Sequence, residues 1–138
     1  GRSAKGKTVA DSIVAAAREI SETTDIKAIA CFTFSGTTAS LTARERPRVP
    51  IIALTANIDT ARRLSLTWGT NCVITGPVDR FKMAVVAAVR AAVSQGFAQK
   101  LDQIAVTAGV PFNQAGTTNI LRVAPCEERL IFRSEPDG

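Results

Sequence analysis

The 138-residue sequence contains no histidine and only three cysteines, and both counts limit its chemistry. Without histidine, neither a Ser–His–Asp nor a Cys–His nucleophile can be assembled within this chain. Cys31, Cys72 and Cys126 lie far apart in the sequence, which excludes a zinc site built from close ligand pairs. Cys31 and Cys72 lie in apolar, strand-like stretches, where a cysteine usually acts as a small buried hydrophobic residue.

Long apolar runs are also absent. No run approaches the roughly 20 residues that a membrane-spanning helix needs, and no secretory signal is found near the start. The sequence therefore predicts a cytoplasmic protein without membrane contact. Its length predicts a single domain that is large enough to bury a core.

The net charge of +5 overstates how basic the main part of the chain is. Three of the 17 basic residues lie in residues 1–8, which are predicted to be a tag or linker remnant, so 14 basic and 12 acidic residues remain. Residues 1–8 also match the P-loop pattern, but no strand precedes them to fix such a loop. A nucleic-acid partner is not expected, because no basic stripe is interleaved with aromatic residues.

Helical and strand-like apolar spacing alternate along the chain. The predicted helices are Val9–Thr23, Thr38–Glu45, a helix capped by Asn57 that ends near Thr67, and Val78–Gln95. The predicted strands are Lys27–Thr33, Val49–Thr55, Asn71–Thr75, Gln103–Ala108 and Thr118–Ala124. This order predicts a three-layer α/β/α fold with about five strands in a mostly parallel sheet.

The last strand is predicted to be antiparallel, because the loop before it is too short for a crossover helix. The domain is expected to span residues 9–124, with a tail at 125–138. Within that tail, residues 129–133 are expected either to add a further strand or to belong to the tail itself.

Two loops follow predicted strands and have a composition that suits phosphate. The first contains Thr33, Ser35, Gly36, Thr37 and Thr38 and leads into a helix, whose N-terminus favours anions. The second runs from Gly109 to Asn119 and combines glycine, hydroxyl and amide groups. Taken alone, the first loop could equally be a helix cap and the second a hairpin connection. Together they favour a phosphorylated small molecule bound at the carboxyl ends of the strands.

Neither loop contains a general base, and the acidic residues are scattered over helix ends and exposed helical faces. No carboxylate cluster suited to Mg²⁺ is visible in the sequence. The arginines of the middle of the chain are expected to be surface or interface groups, although one or two could reach a second phosphate; they are Arg44, Arg46, Arg48, Arg62 and Arg63. Binding is therefore favoured over catalysis.

Three segments resemble, in order, the C-terminal domain of pyruvate kinase. They are TFSGTTA at 33–39, RPRVPIIALT at 46–55 followed by Asn57 and TAR at 60–62, and TAGVPF at 107–112 followed by GTTN at 116–119. The resemblance covers about residues 9–123. It implies a regulatory domain that binds a phosphorylated allosteric effector and contributes to a tetramer interface. It also implies that the catalytic site, with its Mg²⁺ and K⁺, lies in a barrel outside this chain, so no catalytic residue, metal or cofactor is expected here.

The resemblance also indicates which residues contact the effector. The phosphate loop of the family corresponds to Thr33, Ser35, Gly36, Thr37 and Thr38, and the second effector loop to Gly109, Val110, Pro111, Gly116, Thr117 and Thr118.

The effector is expected to be a monophosphate such as AMP, ribose 5-phosphate or glucose 6-phosphate. Phe34 and Thr37 occupy positions where the family often has a basic residue, and the tryptophan that precedes the fourth strand in fructose-bisphosphate-responsive members is absent. The alternative is a structural or oligomerisation module whose effector pocket is vestigial.

Overall fold

The computed structural model describes residues 8–68, 71–110, 112 and 118–132. The helices are α1 (Val9–Thr23), α2 (Thr37–Arg44), α3 (Ile58–Trp68), α4 (Phe81–Ser94) and α5 (Glu128–Phe132). The strands are β1 (Ile29–Phe32), β2 (Ile51–Thr55), β3 (Cys72–Ile74), β4 (Gln103–Gly109) and β5 (Thr118–Pro125).

The start of α1 follows from its sequence. The Thr8 side chain accepts from the Asp11 N–H at 3.1 Å, and the Asp11 carboxylate accepts from the Thr8 N–H at 3.0 Å. This capping box satisfies two N–H groups at the helix start. The helix runs from Val9 to Thr23, which confirms the predicted bounds. The predicted cap of α3 is also present, because Asn57 Oδ1 accepts from the Thr60 N–H at 3.0 Å.

The sheet has the strand order β3-β2-β1-β4-β5. The neighbours from β3 to β4 pair in parallel, and β5 pairs with β4 in the antiparallel direction, for example Ala105 with Val123. The prediction of a mostly parallel sheet with an antiparallel last strand is confirmed. The register shifts between Ala108 and Gly109, where the chain leaves β4.

Helices cover both faces of the sheet, because successive residues of a buried strand point to opposite sides. Alternate strand residues such as Ala30, Leu54 and Val106 belong to a core cluster that includes the buried residues of α4. On the other face, Cys31 and Ala105 cluster with Ala17 of α1, and Ala53 clusters with side chains of α2 and α3. This arrangement is the predicted three-layer α/β/α fold.

Most predicted bounds lie within one or two residues of those in the structure, and two predictions differ by more than that or in the kind of element. The helix expected from Val78 begins at Phe81, because Arg80 has an extended backbone and Val78 packs into the core from the extended segment before the helix. The strand considered for residues 129–133 is wrong, since Glu128–Phe132 is the short helix α5. Leu130 of α5 is buried in the α4 cluster, and Arg90 Nε donates to the Leu130 carbonyl at 3.0 Å.

The sheet has a topological switch point at β1, where the order of the strands changes direction. The chain passes from β1 through α2 to the neighbouring strand β2, whereas α4 returns it to β4 on the other side of β1. The carboxyl ends of β1 and β4 are neighbours at this point, because the two strands pair in parallel. Open α/β sheets bind ligands at such a point.

Candidate anion-binding site

The loop from Thr33 to Gly36 leaves β1 at the switch point and enters α2. Thr33 is buried, and its Oγ1 accepts from the Gly36 N–H at 2.8 Å. Gly36 has a φ of 96°, in the left-handed region that favours glycine, and a Cβ there would lie 3.4 Å from Leu64 Cδ2. Thr33 and Gly36 together fix the turn that directs α2.

Thr38 connects this loop to β5. Its hydroxyl is hydrogen-bonded to the hydroxyl of Thr118, at the start of the strand that follows the second loop. Both side chains are buried, with exposed fractions of 5% and 4%. The Thr38 carbonyl also accepts from Thr42 Oγ1 at 2.8 Å. This pair holds the two predicted effector loops together across the switch point.

Ser35 and Thr37 present their hydroxyls to the exterior. Their Oγ atoms lie 3.0 Å apart, and the Thr37 N–H lies 3.5 Å from Ser35 Oγ. Gly36 is the N-cap of α2 and provides no side chain to accept from the first turn of the helix. The first N–H groups of a helix have no intrahelical acceptor, and together with the helix dipole they attract anions.

The loop is supported from α3, which the sequence did not indicate. Thr60 Oγ1 donates to the Phe34 carbonyl at 2.8 Å. Arg63 Nη2 donates to the Ser35 carbonyl at 3.1 Å and to Thr60 Oγ1 at 3.2 Å. These contacts need α3 to lie beside α2, which depends on the pairing of β1 with β2, so no local sequence pattern could have revealed them.

A cleft of about 290 Å³ opens between α2 and α3 beside this loop. The described residues that line it are Ser35, Gly36, Thr37, Ser40, Leu41, Arg44, Arg63 and Leu64. Three of the predicted phosphate ligands, Ser35, Gly36 and Thr37, therefore share one open cleft. Two arginines supply positive charge to it, and no carboxylate belongs to this lining.

The second predicted loop is described at its two ends and at Phe112, whose ring centroid lies 5.8 Å from that of Phe32. Gly109, Val110 and Thr118 are described, whereas Pro111, Gly116 and Thr117 lie outside the described residues. The Asn119 amide closes the base of the loop, because its Oδ1 accepts from the Val110 N–H at 3.0 Å and its Nδ2 donates to the Val110 carbonyl at 2.7 Å.

The thiol of Cys31 belongs to the interior beneath the site. Cys31 is fully buried and donates to Thr42 Oγ1 at 3.3 Å. Burial raises the pKa of the Cys31 thiol, and the hydrogen bond with Thr42 opposes that increase. The expectation that Cys31 is a small buried residue is confirmed. In the described ranges, no group of three or more His, Cys, Asp or Glu side chains could hold a metal ion.

A family model described as the alpha/beta domain of pyruvate kinase matches residues 11–124. The chain belongs to this family. It is a C-terminal domain of pyruvate kinase, as the three segments in its sequence suggested.

Individual relatives agree with the family assignment. The chain is similar to a pyruvate kinase of Agrobacterium vitis, with 45% identity over 81% of the chain and 24% of the relative. It is 38% identical to the pyruvate kinase of Methylorubrum extorquens, over 89% of the chain and 26% of the relative. For Geobacillus stearothermophilus pyruvate kinase the identity is 36%, over 84% of the chain and 20% of the relative. The chain thus spans about a quarter or less of the length of these relatives.

None of the described helices combines the length and the apolar character needed to cross a membrane.

Proposed function

We propose that this domain binds a phosphorylated allosteric effector and regulates a pyruvate kinase without taking part in the chemistry. Pyruvate kinase transfers a phosphoryl group from phosphoenolpyruvate to ADP, in glycolysis, to give pyruvate and ATP. The catalytic residues, Mg²⁺ and K⁺ belong, in this proposal, to the barrel of the enzyme and not to this domain. The enzyme would act in the cytoplasm as an oligomer of such subunits, with neither nucleic acid nor membrane as a partner.

The observation that carries the proposal is the open N-terminus of α2. The hydroxyls of Ser35 and Thr37 are hydrogen-bonded to each other on the exposed side of a helix start whose N-cap, Gly36, makes no side-chain cap hydrogen bond, and a phosphate there would exchange that bond for bonds to its own oxygens. A phosphate oxygen can accept from hydroxyls and from backbone N–H groups at the same point. In this proposal Ser35, Gly36 and Thr37 contact the phosphate, and Thr33 and Thr38 hold the loop that positions them.

The second loop would contribute the other wall of the effector site. Gly109, Val110, Pro111, Gly116, Thr117 and Thr118 are the proposed contributors. The Thr38–Thr118 hydrogen bond connects the start of α2 to the start of β5, which follows the second loop. An effector that prefers the active quaternary state needs a coupling free energy of only about 1–3 kcal/mol to regulate the enzyme.

The proposed effector is a small monophosphate such as ribose 5-phosphate, glucose 6-phosphate or AMP. Calorimetric titration of the chain with each compound tests this. We expect binding in the millimolar range or tighter, and about tenfold or more weaker binding by Thr37→Ala, because one hydroxyl donor to a charged group, worth about 1.5–3 kcal/mol, is lost. Thr23→Ala, on the exposed face of α1, is the matched control and should bind as the wild type does. Absence of binding by the folded wild-type chain at millimolar effector would refute the proposal.

A second candidate function is an assembly module whose pocket is vestigial. The exposed apolar side chains of α3 favour it, since Leu66 is 91% exposed and Ile58 is 54% exposed. Exposed apolar groups on one helix often mark a protein interface. Sedimentation equilibrium with Leu66→Ser tests this function. It is supported if the wild-type chain self-associates, the variant is monomeric, and neither binds an effector.

A further inference from the structure

The cleft between α2 and α3 contains positive charge that the proposed effector loops do not use. Its lining includes Arg44 in the last turn of α2 and Arg63 of α3. On α2, Thr37, Ser40, Leu41 and Arg44 have the spacing of residues that share one helical face. The cleft therefore extends along α2 from its N-terminus to its last turn, over about 10 Å at 1.5 Å per residue.

Arg63 is held in place by the loop that it supports. Its Nη2 donates to the Ser35 carbonyl and the Thr60 hydroxyl at 3.1 and 3.2 Å. The guanidinium is thereby fixed at the Ser35 carbonyl, and Arg63 shares the lining of the cleft with Ser35 and Thr37. A guanidinium with a fixed orientation matches the oxygens of a phosphate better than a flexible cation does.

Arg44 has no hydrogen bond or ion pair within the part of the chain that the structure describes, and its side chain is exposed at the far end of the cleft. In contrast, Arg62 on the neighbouring position of α3 lies 3.9 Å from Asp59 and does not belong to the described lining. Because the lining has two cations and no carboxylate, the cleft has a positive potential that favours dianions.

We propose that the α2–α3 cleft is an anion subsite for a phosphate group, with its positive charge supplied by Arg63 beside the loop and Arg44 at the other end. The subsite rests on the proposed function, because it shares Ser35 and Thr37 with the effector loop. Two sources could supply the phosphate: inorganic phosphate, or a sugar phosphate whose carbon skeleton contacts Leu41 and Leu64. A cleft of about 290 Å³ lies at the lower limit of small-molecule sites, which suits a ligand of this size.

Calorimetric titrations of the whole chain with inorganic phosphate and with ribose 5-phosphate test the subsite. We expect Arg63→Gln and Arg44→Gln each to weaken binding about fivefold, the effect of about 1 kcal/mol. Arg62→Gln is the matched control, because it removes the same charge outside the cleft, and it should change the affinity less than twofold. Arg63→Lys keeps the charge but loses the planar donors, and it should restore only part of the affinity.

Each outcome has one meaning. If ribose 5-phosphate binds more tightly than inorganic phosphate, the subsite takes a sugar phosphate; equal affinity identifies inorganic phosphate as sufficient. Equal weakening by all three glutamine variants would overturn the subsite, because general electrostatics would then explain the effect.

If the wild type binds and neither cleft variant weakens it, the subsite is wrong and the proposed function stands. If the folded wild type binds neither probe, both fail. Circular dichroism and urea unfolding of each variant show whether it is folded.

Discussion

The hydrogen bond between Thr38 and Thr118 should contribute a measurable amount to the free energy of unfolding. The two hydroxyls are buried and joined to each other, and they connect α2 to the start of β5 across the switch point. Thr38→Val or Thr118→Val retains the side-chain volume but leaves the other hydroxyl buried without this partner. Such an unsatisfied group costs about 1–3 kcal/mol of unfolding free energy.

The double variant should be far less destabilised than the sum of the two single variants. With both residues replaced by valine, no buried hydroxyl remains at this contact, and apolar replacement of both partners can be nearly neutral. Two single costs of about 1–3 kcal/mol each and a double cost near zero give an expected coupling of about 2–6 kcal/mol in favour of the pair.

Urea unfolding followed by circular dichroism measures all four proteins, provided that the slope with urea is unchanged. A control cycle pairs Thr118→Val with Thr23→Val, whose hydroxyl donates to the Glu19 carbonyl on α1. Those two changes should add within about 0.5 kcal/mol. Additive effects of Thr38→Val and Thr118→Val would refute the claim that this bond joins the two loops.

Four other predictions follow from the local geometry. Gly36→Ala should cost about 1–2 kcal/mol, because alanine resists a φ of 96°; an unchanged thermal midpoint would contradict this. Thr8→Ala should cost about 1 kcal/mol in urea unfolding by removing the N-cap acceptor of α1, and equal stability would mean that the cap contributes nothing. Burial raises the pKa of the Cys31 and Cys126 thiols, so the folded state holds their protons more tightly than the unfolded state does. The unfolding free energy should therefore fall as the pH rises above their ordinary value of 9.0, and a constant stability there would count against it. Half-buried Cys72 should react first with Ellman's reagent.

Much of the fold could be predicted because its signals are local. The capping box at Thr8 and Asp11 specifies where α1 begins, and the apolar run before Ser35 specifies a strand buried on both faces. The direction of β5 followed from the length of its loop, since a crossover helix does not fit there.

The two wrong predictions about secondary structure have physical causes. Val78 has the apolar character of a helix position, but it packs into the core from an extended segment, so the helix was predicted to begin too early. The five residues of α5 are too few to reveal a period, and their burial against α4 depends on tertiary packing.

The candidate site could be located from the sequence but not resolved into roles. A run of hydroxyls after β1 predicts a polar loop, yet it does not indicate that Thr33 and Thr38 turn inward while Ser35 and Thr37 bond to each other on the exposed side. The position of Arg63 depends on the packing of α3 against the loop. From the sequence, Arg63 was one of five arginines expected to be surface or interface groups, of which one or two could reach a second phosphate.

The most direct test of the account is a two-dimensional ¹⁵N–¹H NMR titration of the chain with ribose 5-phosphate. Phosphate binding at the start of α2 should produce saturable shifts that are largest at the amides of Gly36, Thr37 and Thr38, because the phosphate accepts hydrogen bonds there. Amides on the remote face of α4 should not shift. Binding at this site is contradicted if the amides at the start of α2 do not respond at millimolar ligand, or if the shifts are confined to other parts of the domain.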